Sequence, residues 1–442
     1  MKNDFTLTPH VGAKGFGVLL NLFFPSLLKR RSLSTLMTAL TLISLYGCAK
    51  KDDPAPDPKK EEPDPGTNPG TNNLVDYDPT FPLYEGKANF SAMLPDGKVV
   101  IWGSSEKTAE QVFRVTKDGQ HDADFDTGKD KSWFIRKAND IAVQKDGKVI
   151  LAGEFLVNGK TCSIIRLTSS GVLDNSFTPY DVTKLTSYTI TISNLLVLAD
   201  GKIVFSQSMF NSSLSLRYNG IFGLNANGTV AFSVEGAWIR RVNDDTHIIG
   251  SNEINDIIQL SNGKLMVCGG VKFFNKRRYV ARINSDGSLD ESFDFKESIN
   301  GGVGDPLCLA EQNGKILVGG SFNALVSESQ RDTQYPFLNL MRLNADGSID
   351  QTLGVNTITN HPIGIIVRDD NSFVTLSNAF SNGDNTHISL YNSNGVPKAS
   401  YNIADSKSAL KNLFRQSNDK LLVTGNILNS SHSYAIARLN VK

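Results

Sequence analysis

Two short segments place a tryptophan beside arginines: SWFIRK (132–137) and AWIRR (237–241). Trp133 with Arg136, and Trp238 with Arg240 and Arg241, combine a flat apolar surface with multidentate hydrogen-bond donors. A sugar uses both, since one ring face stacks while the hydroxyls need partners. A third segment, KFFNKRRY (272–279), sets Arg277 and Arg278 near two phenylalanines. These seven residues are the candidate contacts for an extracellular glycan or a protein ligand. They also have an architectural use. A tryptophan entering a strand packs well in a core, and paired arginines suit a solvated loop tip.

Other chemistry is hard to find. There is no HExxH, no G-x-S-x-G, no phosphate-binding glycine loop and no CxxC. The six histidines are His10, His121, His247, His361, His387 and His432, and none has a second His or Cys at ligand spacing. NSDGSLDESFD (284–294) invites a calcium reading through Asp286, Asp290 and Asp294, but it lacks EF-hand spacing. The same turn recurs in other forms, as at Asn227 and Ser170, so a repeated structural turn explains it better. Cys162, Cys268 and Cys308 sit in apolar strand contexts and read as buried small hydrophobes, with a Cys268–Cys308 bond as the alternative. No metal, no cofactor and no catalytic role is therefore expected. A carboxylate pair among the scattered acids would be the route to the enzymatic alternative, an extracellular glycan-degrading activity.

The elements that carry these residues repeat. A turn entering a strand recurs as LPDGKVVIWG (94–103), VQKDGKVILAG (143–153), LADGKIVFSQ (198–207), LSNGKLMVCGG (260–270), EQNGKILVGG (311–320), RDDNSFVTLS (368–377) and QSNDKLLVTG (416–425). A second turn trails each copy, as in IRLTSSGVLDNSF (165–177) and ARINSDGSLDESF (281–293). Asp-Gly or Asn-Gly between apolar runs signals a hairpin whose two turn residues tolerate positive φ. Two hairpins give four strands per copy, and seven copies share residues 78–442 at about 52 residues each. Four-stranded units at that period predict an all-β, seven-bladed β-propeller of antiparallel blades. The seventh copy stops at ARLNVK (437–442), while VDYDPTF (75–81) matches the D-x-x-F ending of the other copies. The N-terminal strand 75–81 is therefore expected to complete the C-terminal blade. Length variation falls on one face: Thr178 to Thr191, Glu235 to Asn255, and Asn323 to Pro336. That face also carries the Trp and Arg candidates, and binding loops sit on rigid scaffolds.

The chain has 45 basic and 45 acidic side chains, and so no basic excess for nucleic acid. Residues 1–48 read as a signal region. Lys29-Arg30-Arg31 precedes an apolar run from Leu33 to Tyr46, too short for a comfortable span. The plain alternative is an uncleaved membrane anchor or an ordinary signal with a chance Cys. A second apolar stretch at 11–28 is broken by Lys14 and Pro25, and a start near Leu27 would leave a signal of ordinary length. Residues 49–74 hold six prolines and no large apolar residue before Leu74, which predicts an extended tether.

The segment SLYGC (44–48) resembles a bacterial lipobox, which implies lipidation at Cys48; Tyr46 departs from its pattern. CAKKDD (48–53) is similar to surface-export signals of Gram-negative lipoproteins. The DGK-(I/V)-(L/V)-V-x-G turn and RLN-x-DGS-(L/I)-D-x-(S/T)-F tail resemble the delta-60 repeat β-propeller family across residues 75–442. Copies three and six are degenerate. The resemblance implies a propeller and an extracytoplasmic address, and says little about chemistry. The expectation is a monomeric, non-catalytic surface lipoprotein, lipid-anchored in the outer membrane. Its propeller would bind a glycan or a nutrient-capture partner. The alternatives are a protein–protein adhesion scaffold and the glycan-degrading enzyme above.

Overall fold

The computed structural model describes residues 76–441, apart from 106–107, 131, 183–188, 212, 214–215, 235–239, 242–253, 274–275, 296, 301–304, 323, 328–333, 336–338, 355–360, 379–385, 404–407 and 430–431. The architecture is all-β. The only helix among the described residues is a 3-10 turn, Thr127–Lys129. The signal region, Cys48 and the tether lie outside the described residues.

Among the described residues eight sheets form, and seven of them follow one another along the chain, each a run of antiparallel neighbours. The first joins Lys87–Met93, Val99–Ser105 and Thr108–Val115; the second joins Trp133–Val143, Val149–Val157 and Lys160–Leu167. The third joins Thr189–Val197, Ile203–Asn211, Leu216–Leu224 and Val230–Val234. The fourth joins Ile254–Gln259, Leu265–Phe273 and Lys276–Ile283; the fifth joins Pro306–Gln312, Lys315–Gly320 and Leu340–Leu343. The sixth joins His361–Val367, Phe373–Asn378, His387–Tyr391 and Pro397–Asn402. The seventh joins Ala409–Arg415, Leu421–Asn429 and His432–Asn440, with Asp76–Tyr77 on its outer edge. There Asp76 pairs with Asn440 and Tyr77 with Leu439. A small extra sheet, Glu297–Asn300, Ala324–Ser327 and Gln334–Tyr335, stands apart from the series.

The expected fourth strand is cut short in four sheets. After the second turn the chain makes one bridge (Val115–His121, Leu167–Leu173, Ile283–Leu289 or Leu343–Ile349) and then leaves, although in the second sheet it comes back at Tyr180 to bridge Ile164. The residue after each bridge is an aspartate, whose carboxylate caps the backbone two residues on and bends the chain away from the ladder. The DGK turns also differ from the sequence expectation. At Asp96-Gly97 only the glycine has positive φ, at 84°. Leu94 N–H donates to Lys98 O and Gly97 N–H to Leu94 O, so the turn is a three-residue hairpin closed by a glycine bulge. The aspartate caps Lys98 N–H instead of turning left-handed. Asn313-Gly314, with both φ positive, does match the two-residue form.

Sheets pack face to face through apolar clusters. Val204 and Ile221 of the third meet Ile254, Ile257 and Val267 of the fourth. Val99, Ile101 and Phe113 of the first meet Leu422, Ala435 and Ile436 of the seventh. The innermost strand of each sheet carries a bulge, and in five of the sheets a side chain at the bulge reaches the next sheet. Asp140 accepts from Leu195 N–H at 2.7 Å, and Asp256 from Leu309 N–H at 2.8 Å. Asn194 donates to Ile254 O at 2.7 Å, and Cys308 Sγ faces Pro362 O at 3.5 Å. Asn412 donates to Ser91 O at 3.1 Å, from the seventh sheet to the first.

The glycine ending the V-x-G motif makes room for the bulge. A Cβ at Gly153 would stand 2.0 Å from Lys137 O, a backbone atom that cannot swing aside. Gly153→Ala should therefore destabilise by ~1–3 kcal/mol, the usual cost of overpacking, as read from the denaturant midpoint.

Candidate functional site

The most repeated side-chain chemistry is a charged set built from both turns. In the first, second, fourth and fifth sheets an arginine bonds the aspartate eight residues later: Arg114–Asp122, Arg166–Asp174, Arg282–Asp290 and Arg342–Asp350. The Nε–Oδ2 distances run from 2.6 to 2.8 Å. The lysine of the DGK turn adds a second cation to each carboxylate: Lys98, Lys148, Lys264 and Lys315. In the seventh sheet Arg438 and Lys420 meet Asp78, 360 residues from Arg438. The arginine also lies over the phenylalanine three residues beyond the aspartate. It stands 4.8–5.1 Å from the ring centroids of Phe81, Phe125, Phe177 and Phe293. Its Nη1 then donates to a carbonyl in the following copy, as in Arg282 to Ala345 O at 2.7 Å and Arg342 to Ser393 O at 2.8 Å. Arg166 reaches Ala226 O in the same way.

These carboxylates are structural. Burial works against ionisation at Asp122, Asp174, Asp290 and Asp350, but the hydrogen bonds and neighbouring cations outweigh it. All four lie below the usual aspartate value, Asp174 at about 2. At Asp78 the Lys420 hydrogen bond leads the downward shift. Asp290, weighed above as a calcium donor, is thus held by Arg282 and Lys264, while Asp286 caps Ser288. No cluster of metal-ligand side chains occurs among the described residues. The set was readable in the sequence. Copy three has Gly223 and Ala231, and copy six Leu390 and Lys398, where the others have Arg and Asp, so both partners are lost together.

The candidate binding residues are distributed over several sheets. Trp133 is buried at 6% exposure, edge-on to Phe155 at 6.5 Å, so its indole packs inside the core. Arg136 is exposed and pairs with Glu154 at 3.1 Å, a surface pair of small energetic weight. Arg240–Arg241 forms a short strand against Leu216–Arg217 in the third sheet, and Arg277 and Arg278 pair through the backbone with Lys272 and Val271 in the fourth. Trp238 lies outside the described residues. Cys162, Cys268 and Cys308 are buried free thiols, with burial pushing all three upward in pKa.

A cavity of about 210 Å³ opens between the third and fourth sheets. Its lining is polar: Thr189, Thr191 and Ser193 on one strand, Ser206 and Ser208 on the next, and Asn219 on the third, with Phe210 and Ile254 as apolar walls. Alternation builds it. Thr189, Thr191 and Ser193 share one face of their strand, while the intervening Ile192 is buried against the second sheet. Register then sets Ser193 opposite Ser206, and Thr191, Ser208 and Asn219 in one row. Apolar packing between these sheets stops at Val204, Ile221 and Ile254, and the hydroxyl rows begin there. The cavity lies at the strand ends from which the long connections 178–191 and 235–255 depart. Sequence reading missed it because T-x-T-x-S looks like an ordinary half-exposed strand until both faces are known to meet neighbours.

Repeated sheets packed in series, five of them carrying the Arg–Asp–Lys set, mark a β-propeller repeat protein. A family model described as a domain of unknown function (DUF5122) β-propeller matches residues 144–177, 260–293 and 311–353. Each matched span runs from a DGK or NGK turn to the residue after the D-x-x motif, and so contains one complete charged set. Comparison with curated proteins gives no match. Among solved structures, a protein of unknown function from Dyadobacter fermentans DSM 18053 is 9% identical, with TM-score 0.38, over 83% of this chain and 97% of that one. The endo-arabinase of Bacteroides thetaiotaomicron VPI-5482 is 12% identical, with TM-score 0.31, over 56% of this chain and 93% of that one. Prolyl oligopeptidase B of Galerina marginata is 10% identical, with TM-score 0.38, over 77% of this chain, which spans 47% of that enzyme.

Proposed function

We propose that this chain is a non-catalytic surface lipoprotein whose seven-bladed propeller binds an extracellular glycan. Cys48 carries the lipid, residues 49–74 form the tether, and the segment at 75–81 closes the ring on the last blade. Three features support closure: Asp78 supplies the carboxylate missing from copy seven, Asn412 reaches Ser91, and the seventh and first sheets share a core. The observation that carries the binding reading is the hydroxyl-lined cavity at the variable end. Hydroxyl and amide linings suit ligands that both donate and accept hydrogen bonds.

The test is a glycan array probed with the full chain in mild detergent. Retention of at least one glycan without release of reducing ends is the expected result. Release of reducing ends would move the protein to the glycan-degrading class, and a blank array would overturn the reading.

A further inference from the structure

We infer that the cavity between the third and fourth sheets is a subsite for one neutral sugar ring. This rests on the glycan-binding reading above and names the part of the ligand held there. Five hydroxyls and the Asn219 amide line the cavity, and no acidic or basic side chain is among the lining residues. A carboxylate-bearing sugar would lose water there without meeting a cation, which is costly. A neutral pyranose presents hydroxyls that each donate and accept, and Ser, Thr and Asn side chains can answer in either sense.

The walls fit a ring with two kinds of face. Phe210 is half-buried beside the hydroxyl rows, and Ile254 closes the other side. An aromatic ring at that position gives the C–H face of a pyranose a surface to stack on. The hydroxyls of Thr189, Thr191 and Ser208 make no hydrogen bond to another described residue, whereas Ser206 is fully engaged. It bonds the Ser193 hydroxyl at 3.0 Å, donates to Ser193 O at 3.0 Å and accepts from Asn194 at 3.0 Å. The base of the cavity is thus fixed and its outer hydroxyl row is open to a ligand.

The scaffold around it is held from both sides. Asn194, at φ 54°, ties Ser206 to Ile254 O across the sheet boundary. Asp140 pins the neighbouring Leu195 N–H from the second sheet, and Asp256 pins Leu309 N–H in the fifth. A cavity held in place before its ligand arrives loses less entropy on binding.

The experiment is isothermal titration of the full chain with neutral monosaccharides and with glucuronate and N-acetylneuraminate, repeated on Thr191→Val/Ser208→Val. The expected result is binding of at least one neutral sugar, at least 10-fold weaker binding of both acids, and at least 10-fold loss in the double variant with an unchanged thermal melt. Ser208→Ala, which removes one hydroxyl with the least disturbance, serves if the double variant melts early; it should weaken binding several-fold. Equal binding of acidic and neutral sugars overturns the inference. So does a chain that retains array glycans with unchanged affinity in the variants, and that outcome leaves glycan binding itself standing. A chain that binds no sugar in either assay overturns both.

Discussion

Asp78→Ala should lower the unfolding free energy by about 3 kcal/mol, although it changes one residue on a two-residue edge strand's flank. Asp78 accepts from Arg438 Nε at 2.9 Å, from Thr80 N–H at 2.9 Å and from Thr80 Oγ1 at 2.6 Å, and it also takes Lys420. The Arg438 and Asp78 side chains are 8% and 3% exposed. Truncating the acid leaves a guanidinium sheltered from water without its counter-ion, and that unpaired charge is the main cost. The loss should be global, because Asp78 holds the Asp76–Tyr77 edge strand and places Phe81 beneath Arg438. Deleting 76–81 should cost more still, since it also removes Phe81, buried at 2%, from the core shared by the first and seventh sheets. Urea unfolding at pH 7, followed by circular dichroism and by intrinsic fluorescence, measures both. Asp146→Ala, at an exposed turn, is the control and should change little. An Asp78→Ala midpoint equal to the control would remove the argument that the two ends of the chain lock each other.

The sequence carried the repeat and its turns because both are local. A positive φ calls for Gly, and where Gly is missing the chain uses Asn371 or Asp419, with φ of 62° and 63°. The pairing of Asp76–Tyr77 with the last strand was legible because VDYDPTF copies a motif present elsewhere in the chain. The shortened fourth strands were not, since an aspartate that ends a ladder reads the same as one that begins a turn. The role of the repeated Arg and Asp was written in their joint loss from copies three and six, but their contact crosses a hairpin that local propensity does not describe. Trp133 illustrates the opposite limit. Its neighbours Phe134 and Arg136 are exposed, and strand alternation alone turns the indole into the core. The cavity depends on what the far side of a strand faces, which only packing reveals.

Stability should rise as pH falls from 7 to about 4.5 and then drop steeply. Two sets of aspartates act in opposite directions. Burial pushes Asp140 and Asp256 up to about 6 from the usual 3.8, with backbone hydrogen bonds opposing it. The folded state therefore binds more protons than the unfolded state between about pH 6 and 4, and folding gains as pH falls through that window. The full shift would be worth about 3 kcal/mol per residue. Both residues are half-buried and not sealed from water. Screening reduces the expectation to about 1–2 kcal/mol each. Asp78, Asp122, Asp174, Asp290 and Asp350 behave in the reverse sense, with folded pKa values below 3.8. Their contribution is complete above the unfolded value near 4 and is lost as pH falls through the folded values, so the acid limb should be steep. Urea midpoints between pH 7 and pH 2.5 would trace the two limbs. Asp140→Asn/Asp256→Asn should flatten the limb above pH 4.5 and leave the acid limb in place. A wild-type profile that declines steadily from pH 7 would mean that water reaching these strands keeps both carboxylates ionised, and that the bulges at Asp140 and Asp256 are wetter than their hydrogen bonds suggest.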